Sequence, residues 1–216
     1  MTTSPTVPFA GTLTRPEQLR EHYRQPGELV KAKKIDHLDA NCRAFIAACP
    51  FVLLATSGAD GGCDVSPRGG PAGFVRVLDE ARLAIPDLNG NNLLDSLTNV
   101  VENPHVGLLF VLPGRDETLR VNGRAWISVD DELLAGFADL RRPKAAIAVE
   151  VTSAFIHCAK SFRRGGVWAP ESWAPDGAPS AAELLVGHCE LDQSPDELAA
   201  LLEAGYEKGL ALDRPE

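Results

Sequence analysis

Three stretches of this 216-residue chain combine side chains and backbone breaks of the kind that hold small anionic ligands. Ser66-Pro67-Arg68-Gly69-Gly70-Pro71 closes a strand-like run with two prolines and two glycines. Such a run interrupts a regular ladder and leaves main-chain groups free beside a hydroxyl and a guanidinium. Asn89-Gly90-Asn91-Asn92 precedes a helical stretch, LLDSLTNVVENP, whose first N–H groups and positive dipole end suit a phosphate. The segment HCAKSFRRGGVWAPESW sets Lys160, Arg163 and Arg164 near Trp168 and Trp173, a mixture that meets an anionic aromatic ligand through charge and stacking. Each stretch also has an ordinary alternative: a surface loop, an Asn-capped helix, and a basic loop on an acidic protein. No nucleophile–base pair and no set of metal ligands at working spacing is present. The five cysteines include no C-x-x-C, their number is odd, and they read as free thiols.

The elements that must position these stretches follow from periodicity. Phe51–Ser57 is an apolar run bounded by Pro50 and Gly58, hence a strand, and Gly58–Gly62 turns it into a hairpin with the strand that ends at Ser66. FVRV, RLAIPD, His105–Leu112, Thr118–Ser128 and Lys144–Ile156 read as further strands. No long helical crossover separates the early ones, so the sheet is expected to be mostly antiparallel. On the Thr118 strand, Thr118, Arg120 and Asn122 share one face and Leu119 and Val121 the other. Pro16–Tyr23 reads as a short helix with proline in its first turn. Asp36 is the expected cap of the next helix, whose apolar face is Leu38, Cys42, Phe45, Ile46 and Cys49. The apolar face after Asn92 is Leu93, Leu94, Leu97, Val100 and Val101. Asp131–Leu140 reads as an amphipathic helix, and Ser194, Pro195 and Glu197 announce a capped final helix. The organisation expected is a flexible segment at 1–15, one domain over 16–175 and a helical extension over 176–216.

Composition narrows the function classes. Hydrophobic residues make up 44%, enough for a real core, and the formal charge of −9 disfavours a nucleic-acid groove. No apolar run approaches the roughly 20 residues of a membrane helix. The first residues lack a basic stretch followed by an apolar one, and a cytoplasmic location is the expectation.

The order and spacing of SPRG, IPD, GNN, ENPHVGLLF, ETLRVNGRA and HCAK resemble the FMN-binding split-barrel proteins related to pyridoxamine 5'-phosphate oxidase, in particular a bacterial subgroup of them. The resemblance covers roughly residues 15–175. It implies a mainly β fold with flanking helices (α+β), a six-stranded antiparallel split β-barrel, and a homodimer with two FMN molecules at the interface. On the matching positions, Ser66, Pro67 and Arg68 would lie along the flavin and its ribityl chain. Ile85 and Pro86 would approach through their backbone, Asn91 and Asn92 would meet the phosphate, and Thr118 would contact the ring. Lys160, Arg164 and Trp168 would close over it. The activity implied is an FMN-dependent oxidoreduction of an unidentified small molecule, or of free flavin with a nicotinamide as reductant. The alternatives are a flavin- or haem-holding dimer without turnover and a dimer that has lost its cofactor. The chain departs from its relatives at three positions: Gly70 stands for an Asp, Leu93 for an Arg in the phosphate region, and Gly165 for a Ser. Losing that Arg removes a charge-assisted contact, so weakened FMN affinity is expected.

Overall fold

The computed structural model describes residues 9–173 and 177–215. The chain divides into two compact units, residues up to 34 and residues from 35 onward. The first holds a 3-10 turn at Pro16–Gln18, helix α1 at Leu19–His22 and helix α2 at Glu28–Ala32. Pro16 opens its turn as the sequence suggests, and the Gln18 side chain folds back to accept the Arg15 N–H at 2.9 Å. The 175/176 boundary expected from the sequence, like residues 1–8 of the expected flexible segment, lies outside the described residues.

The second unit is built on one antiparallel sheet. Its strands are β1 Phe51–Ser57, β2 Cys63–Gly69, β3 Arg76–Val77, β4 Arg82–Pro86, β5 His105–Val111, β6 Thr118–Ser128 and β7 Ala146–His157. Their spatial order is β2-β1-β5-β6-β7-β4-β3. The sheet thus has seven strands rather than six, because the two-residue β3 pairs with β4, and no pairing joins the edge strands β2 and β3. The expected interruption at Ser66 falls later. β2 pairs with β1 through Pro67 and Arg68 to Gly69. Pro67 is tolerated because β2 is an edge strand, whose outer N–H groups have no ladder to complete.

Helix α3, Ala40–Ala48, begins three residues later than expected. Asp39, not Asp36, is the cap, accepting the Cys42 N–H at 2.7 Å. That hydrogen bond holds the Asp39 carboxyl below its ordinary value. Leu38, Cys42, Ile46 and Cys49 are buried, as their spacing requires, and burial pushes the Cys42 thiol up to about 11. The same core takes in Val52 and Leu54 of β1, Leu108 and Phe110 of β5, Val121 of β6, and Ile147 and Val149 of β7. Leu119 and Val121 face inward and Arg120 outward, as alternation predicts.

Helix α4 spans Asp95–Glu102 and α5 Asp131–Ala135, the latter shorter than expected. Two asparagines clamp α4 to the first hairpin: Asn99 donates to Thr56 Oγ1 at 3.1 Å and Asp64 Oδ2 at 2.6 Å, and Asn103 to Ser57 Oγ at 2.8 Å. Val100 is buried, but Leu93, Leu94 and Val101 are not, so the apolar face read from the sequence is mostly solvent-facing. After β7 come α6 at Lys160–Arg164, α7 at Ala181–Cys189 and α8 at Pro195–Leu212. Ser194 and Glu197 form the expected capping box of α8. Among the described residues, no helix is long and apolar enough to cross a membrane.

Candidate functional site

A cleft of about 800 Å³ opens between the β2 edge, the loop before α4, and the segment leading into β7. Ser66, Arg68, Asn91 and Asn92 line it, together with Asp87, Ser96 and Leu93. Ser66 and Arg68 share one face of β2, two residues apart, while Pro67 points to the other. The side chains on this wall are tied together. The Arg68 guanidinium donates to Ser66 Oγ at 3.2 Å and to Asp87 Oδ1 at 3.3 Å, and Ser66 Oγ lies 3.1 Å from Ser96 Oγ. Arg68 and Asp87 side chains are each 21% exposed, so the pair is largely withdrawn from solvent. Ile85 and Pro86 are buried in β4, where they pair with Ile147 and Ala146 and set the floor from which Asp87 emerges.

The loop supplies the anion-seeking end. α4 starts at Asp95, later than the Asn-Gly-Asn-Asn turn suggests, because Asn92 and Leu94 adopt left-handed φ of 59° and 64°. For a branched residue such as Leu94 that conformation is strained. It places Leu94 at the cap without a side-chain acceptor, so the first N–H groups of α4 have no side-chain cap. Asn91 is used locally, its Oδ1 accepting the Leu93 N–H at 3.0 Å. Leu93 is 67% exposed and lines the cleft, which excludes a core position for it. Four carboxylates, Asp64, Asp87, Asp95 and Asp213, share the lining with Arg68, Arg141, Arg142 and Lys144. The cleft is therefore electrically mixed rather than basic.

The remaining expected residues gather elsewhere. Thr118, Lys160 and Arg164 line a second hollow of about 350 Å³ with Leu109, His157 and Phe162. It lies on β5, β6 and the end of β7, and β6 is separated from β2 by three strand spacings, roughly 14 Å. Trp168 lines neither cleft. Its indole N–H donates to the Arg115 carbonyl at 2.8 Å and its ring lies 5.9 Å from Phe162. Arg163 is bound to Asp116 at 2.8 Å, which pushes its guanidinium pKa up, so the cationic segment is anchored on the β5–β6 turn.

Packing accounts for one of the departures, Gly70, and not for Gly165. A Cβ at Gly70 would lie 2.7 Å from Phe74 Cβ, and Phe74 is fully buried, so an Asp there demands a different core. Gly165 has room, with its nearest prospective neighbour, the Ser161 carbonyl, at 3.4 Å. Arg141, Arg142, Lys144 and Asp213 are cleft residues that the sequence reading missed. The signal was present as Arg-Arg-Pro-Lys just ahead of β7, a dense cation run in an acidic chain. Among the described residues, no three His, Cys, Asp or Glu side chains gather as a metal site.

Residues 38–158 match the family model described as pyridoxamine 5'-phosphate oxidase. With more than half of its length matched, the chain belongs to that family. Similar solved structures include HupZ from Group A Streptococcus, at 19% identity over 55% of this chain and 92% of that one, with a TM-score of 0.46. A putative pyridoxamine 5'-phosphate oxidase from Lactobacillus delbrueckii is 22% identical over 56% and 99% of the two chains, TM-score 0.41. The FAD binding protein from Mycobacterium smegmatis is 17% identical over 57% and 97%, TM-score 0.39. A comparison with curated proteins finds no significant match.

Proposed function

We propose that the protein is an FMN-dependent oxidoreductase acting as a homodimer on a small organic molecule or on free flavin, with a nicotinamide as a candidate reductant. The observation that carries this reading is the first cleft. Its volume suits a cofactor-sized ligand, and it joins a withdrawn Arg68–Ser66–Ser96 chain to a helix start with uncapped N–H groups. Those groups fit a phosphate ester and its polar chain. Ser66 and Arg68 would orient the ribityl–phosphate part, and the 89–94 loop would receive the phosphate. FMN, when bound, supplies electron transfer at its ring system, and the protein supplies position and hydrogen bonds. No side chain is assigned a catalytic step.

The separation of the two clefts supports the homodimer. Thr118, Lys160 and Arg164 belong to the same expected ligand as Ser66 and Arg68, yet they line a different hollow. Apposed sheet faces of two protomers would bring one protomer's first cleft to the other's second hollow. The outer row Leu53, Leu109, Arg120 and Phe155, in register across β1, β5, β6 and β7, is the face suited to that contact. The specific cofactor of this reading is FMN rather than another flavin, and its fold-level counterpart is the split barrel, of which the open seven-stranded sheet supplies the strands.

The test is a titration of purified protein with FMN, followed by flavin fluorescence and absorbance, beside light scattering at micromolar concentration. The reading expects saturable FMN binding and a mass twice that of the 23.1 kDa chain. A Soret band without flavin absorbance would instead favour haem; His157 is the imidazole that lines the second hollow. A monomer that binds no flavin defeats the reading.

A further inference from the structure

Helix α8 ends in the first cleft, where Leu212 and Asp213 form part of the lining. The Asp213 carboxylate accepts the Asn89 N–H at 2.9 Å, inside the loop that precedes α4. The Asp213 carbonyl accepts the Arg141 N–H at 3.1 Å, and the Leu212 carbonyl accepts from the Arg141 guanidinium at 3.3 Å. One turn earlier, Gly209 runs so close to the loop that a Cβ there would stand 3.1 Å from the Asn89 side-chain nitrogen. An anionic oxygen of the chain itself thus already sits on a loop amide. Arg141, Arg142 and Lys144 line the same cleft. Arg142 is paired with Asp131, whereas Lys144 is exposed and forms no ion pair with any described residue. The region matched by the family model ends at residue 158, so α8 lies beyond it.

We propose that the Asn89 amide, Arg141 and Lys144 form an anion subsite for the phosphate of a phosphate monoester, and that the Asp213 carboxylate is its intramolecular occupant. A ligand phosphate binds there by displacing Asp213 from Asn89. The chemistry favours the exchange. Both groups accept from an amide N–H, but a phosphate monoester carries more charge and three acceptor oxygens, so it gains more from Lys144 and Arg141 than a carboxylate does. The subsite also supplies, within the cleft that Leu93 lines, a cation that position 93 lacks. This inference rests on reading the cleft as the place of a phosphate-bearing ligand.

Inorganic phosphate is the probe, titrated into the full chain by calorimetry, with the Asn89 amide resonance followed by NMR. Phosphate should shift that resonance. Asp213→Asn should bind phosphate about tenfold more tightly, and Lys144→Gln about tenfold more weakly, the scale of one charge-assisted hydrogen bond. Should Asp213→Asn loosen α8 and lower the melting temperature, Lys144→Gln decides alone, since among the described residues no ion pair ties Lys144 to that helix. FMN and riboflavin are titrated in parallel. If phosphate follows the expected order while FMN binds no better than riboflavin, the subsite stands and the flavin-phosphate reading falls. Phosphate affinity that is unchanged in both variants, with an unmoved Asn89 resonance, overturns the subsite.

Discussion

The two clefts of this protein are made in different ways. The first draws on β2, the residues after β4, the loop before α4, the segment before β7 and the end of α8, and its wall is cross-bonded from Asp87 through Arg68 and Ser66 to Ser96. The second is nearly one continuous piece of chain, His157 to Arg164, laid beside Leu109 and Thr118. Its anchoring bonds, Arg163 to Asp116 and Trp168 to Arg115, hold the segment from outside the hollow rather than across it. A site assembled from distant parts and cross-bonded is organised before a ligand arrives, which lowers the ordering cost of binding. A hollow on an open face gains that organisation only when something is laid against it. In the proposed reading the first cleft is accordingly the primary binding site, and the second the complement that a partner protomer would complete.

The largest effect that bears on this difference should come from Gly123. It stands at the bulge between β6 and β7, and a Cβ there would overlap the Glu150 carbonyl oxygen. Gly123→Ala should cost about 3 kcal/mol or more, because the obstacle is backbone that cannot turn aside. If both clefts belong to one cooperative fold, urea denaturation followed by Trp fluorescence and by FMN binding will show them lost together. Separate transitions would show that the second hollow sits on an independent platform.

Gly70→Asp tests the core packing just past the end of β2. It introduces the residue type that the family resemblance leads one to expect but meets Phe74, and should destabilise by about 1–3 kcal/mol. In a double-mutant cycle with Phe74→Ala, the combined loss should be smaller than the sum of the single losses. Simple additivity would mean that Gly70 and Phe74 are not in conflict.

Ligand contacts come next. Arg68→Ala should weaken FMN binding by about 1–3 kcal/mol, as one charge-assisted hydrogen bond is lost. Lys160→Ala, on the exposed second hollow, should weaken it by less than about 1 kcal/mol. Titrations giving the reverse order would exchange the roles of the two clefts.

Asp39 lies away from both clefts and serves as the control. Asp39→Ala removes the α3 cap and should cost about 1 kcal/mol without changing FMN affinity. Because the Asp39 carboxyl is held below its ordinary value, its contribution is fully present above about pH 4 and is lost as pH falls through the lowered folded value. The stability gap between wild type and Asp39→Ala should therefore narrow below pH 4. A gap that is constant from pH 7 to pH 3 would remove the carboxylate from the account.

Much of the sheet was legible in the sequence, Phe51–Ser57 as an apolar run between Pro50 and Gly58, and the strands at Thr118–Ser128 and Ala146–His157 by residues that alternate between faces. The helix starts were less so. Asp36 and Asp39 are equally good caps as residue types, and only the path of the chain after Ile35, bridged to Ala154, selects the second. Leu93 and Leu94 fit a helical apolar face by spacing alone. The left-handed turn at Asn92 and Leu94 takes them out of the helix, and nothing in their types foretells it. The candidate site was read as a single ligand surface because its residues were ordered by motif. Their separation into two hollows depends on strand order, and the contributions of Arg141, Lys144 and Asp213 depend on where α8 ends.

The central claim is that the first cleft receives the phosphate end of FMN at the loop before α4. Leu93→Arg tests it most directly, since Leu93 is exposed and its replacement should leave the fold intact. FMN affinity and melting temperature are measured for wild type and variant. The account predicts binding tighter by about 1–3 kcal/mol, the worth of one added charge-assisted hydrogen bond, with an unchanged melting temperature of the free protein. Equal affinity at equal stability would contradict it.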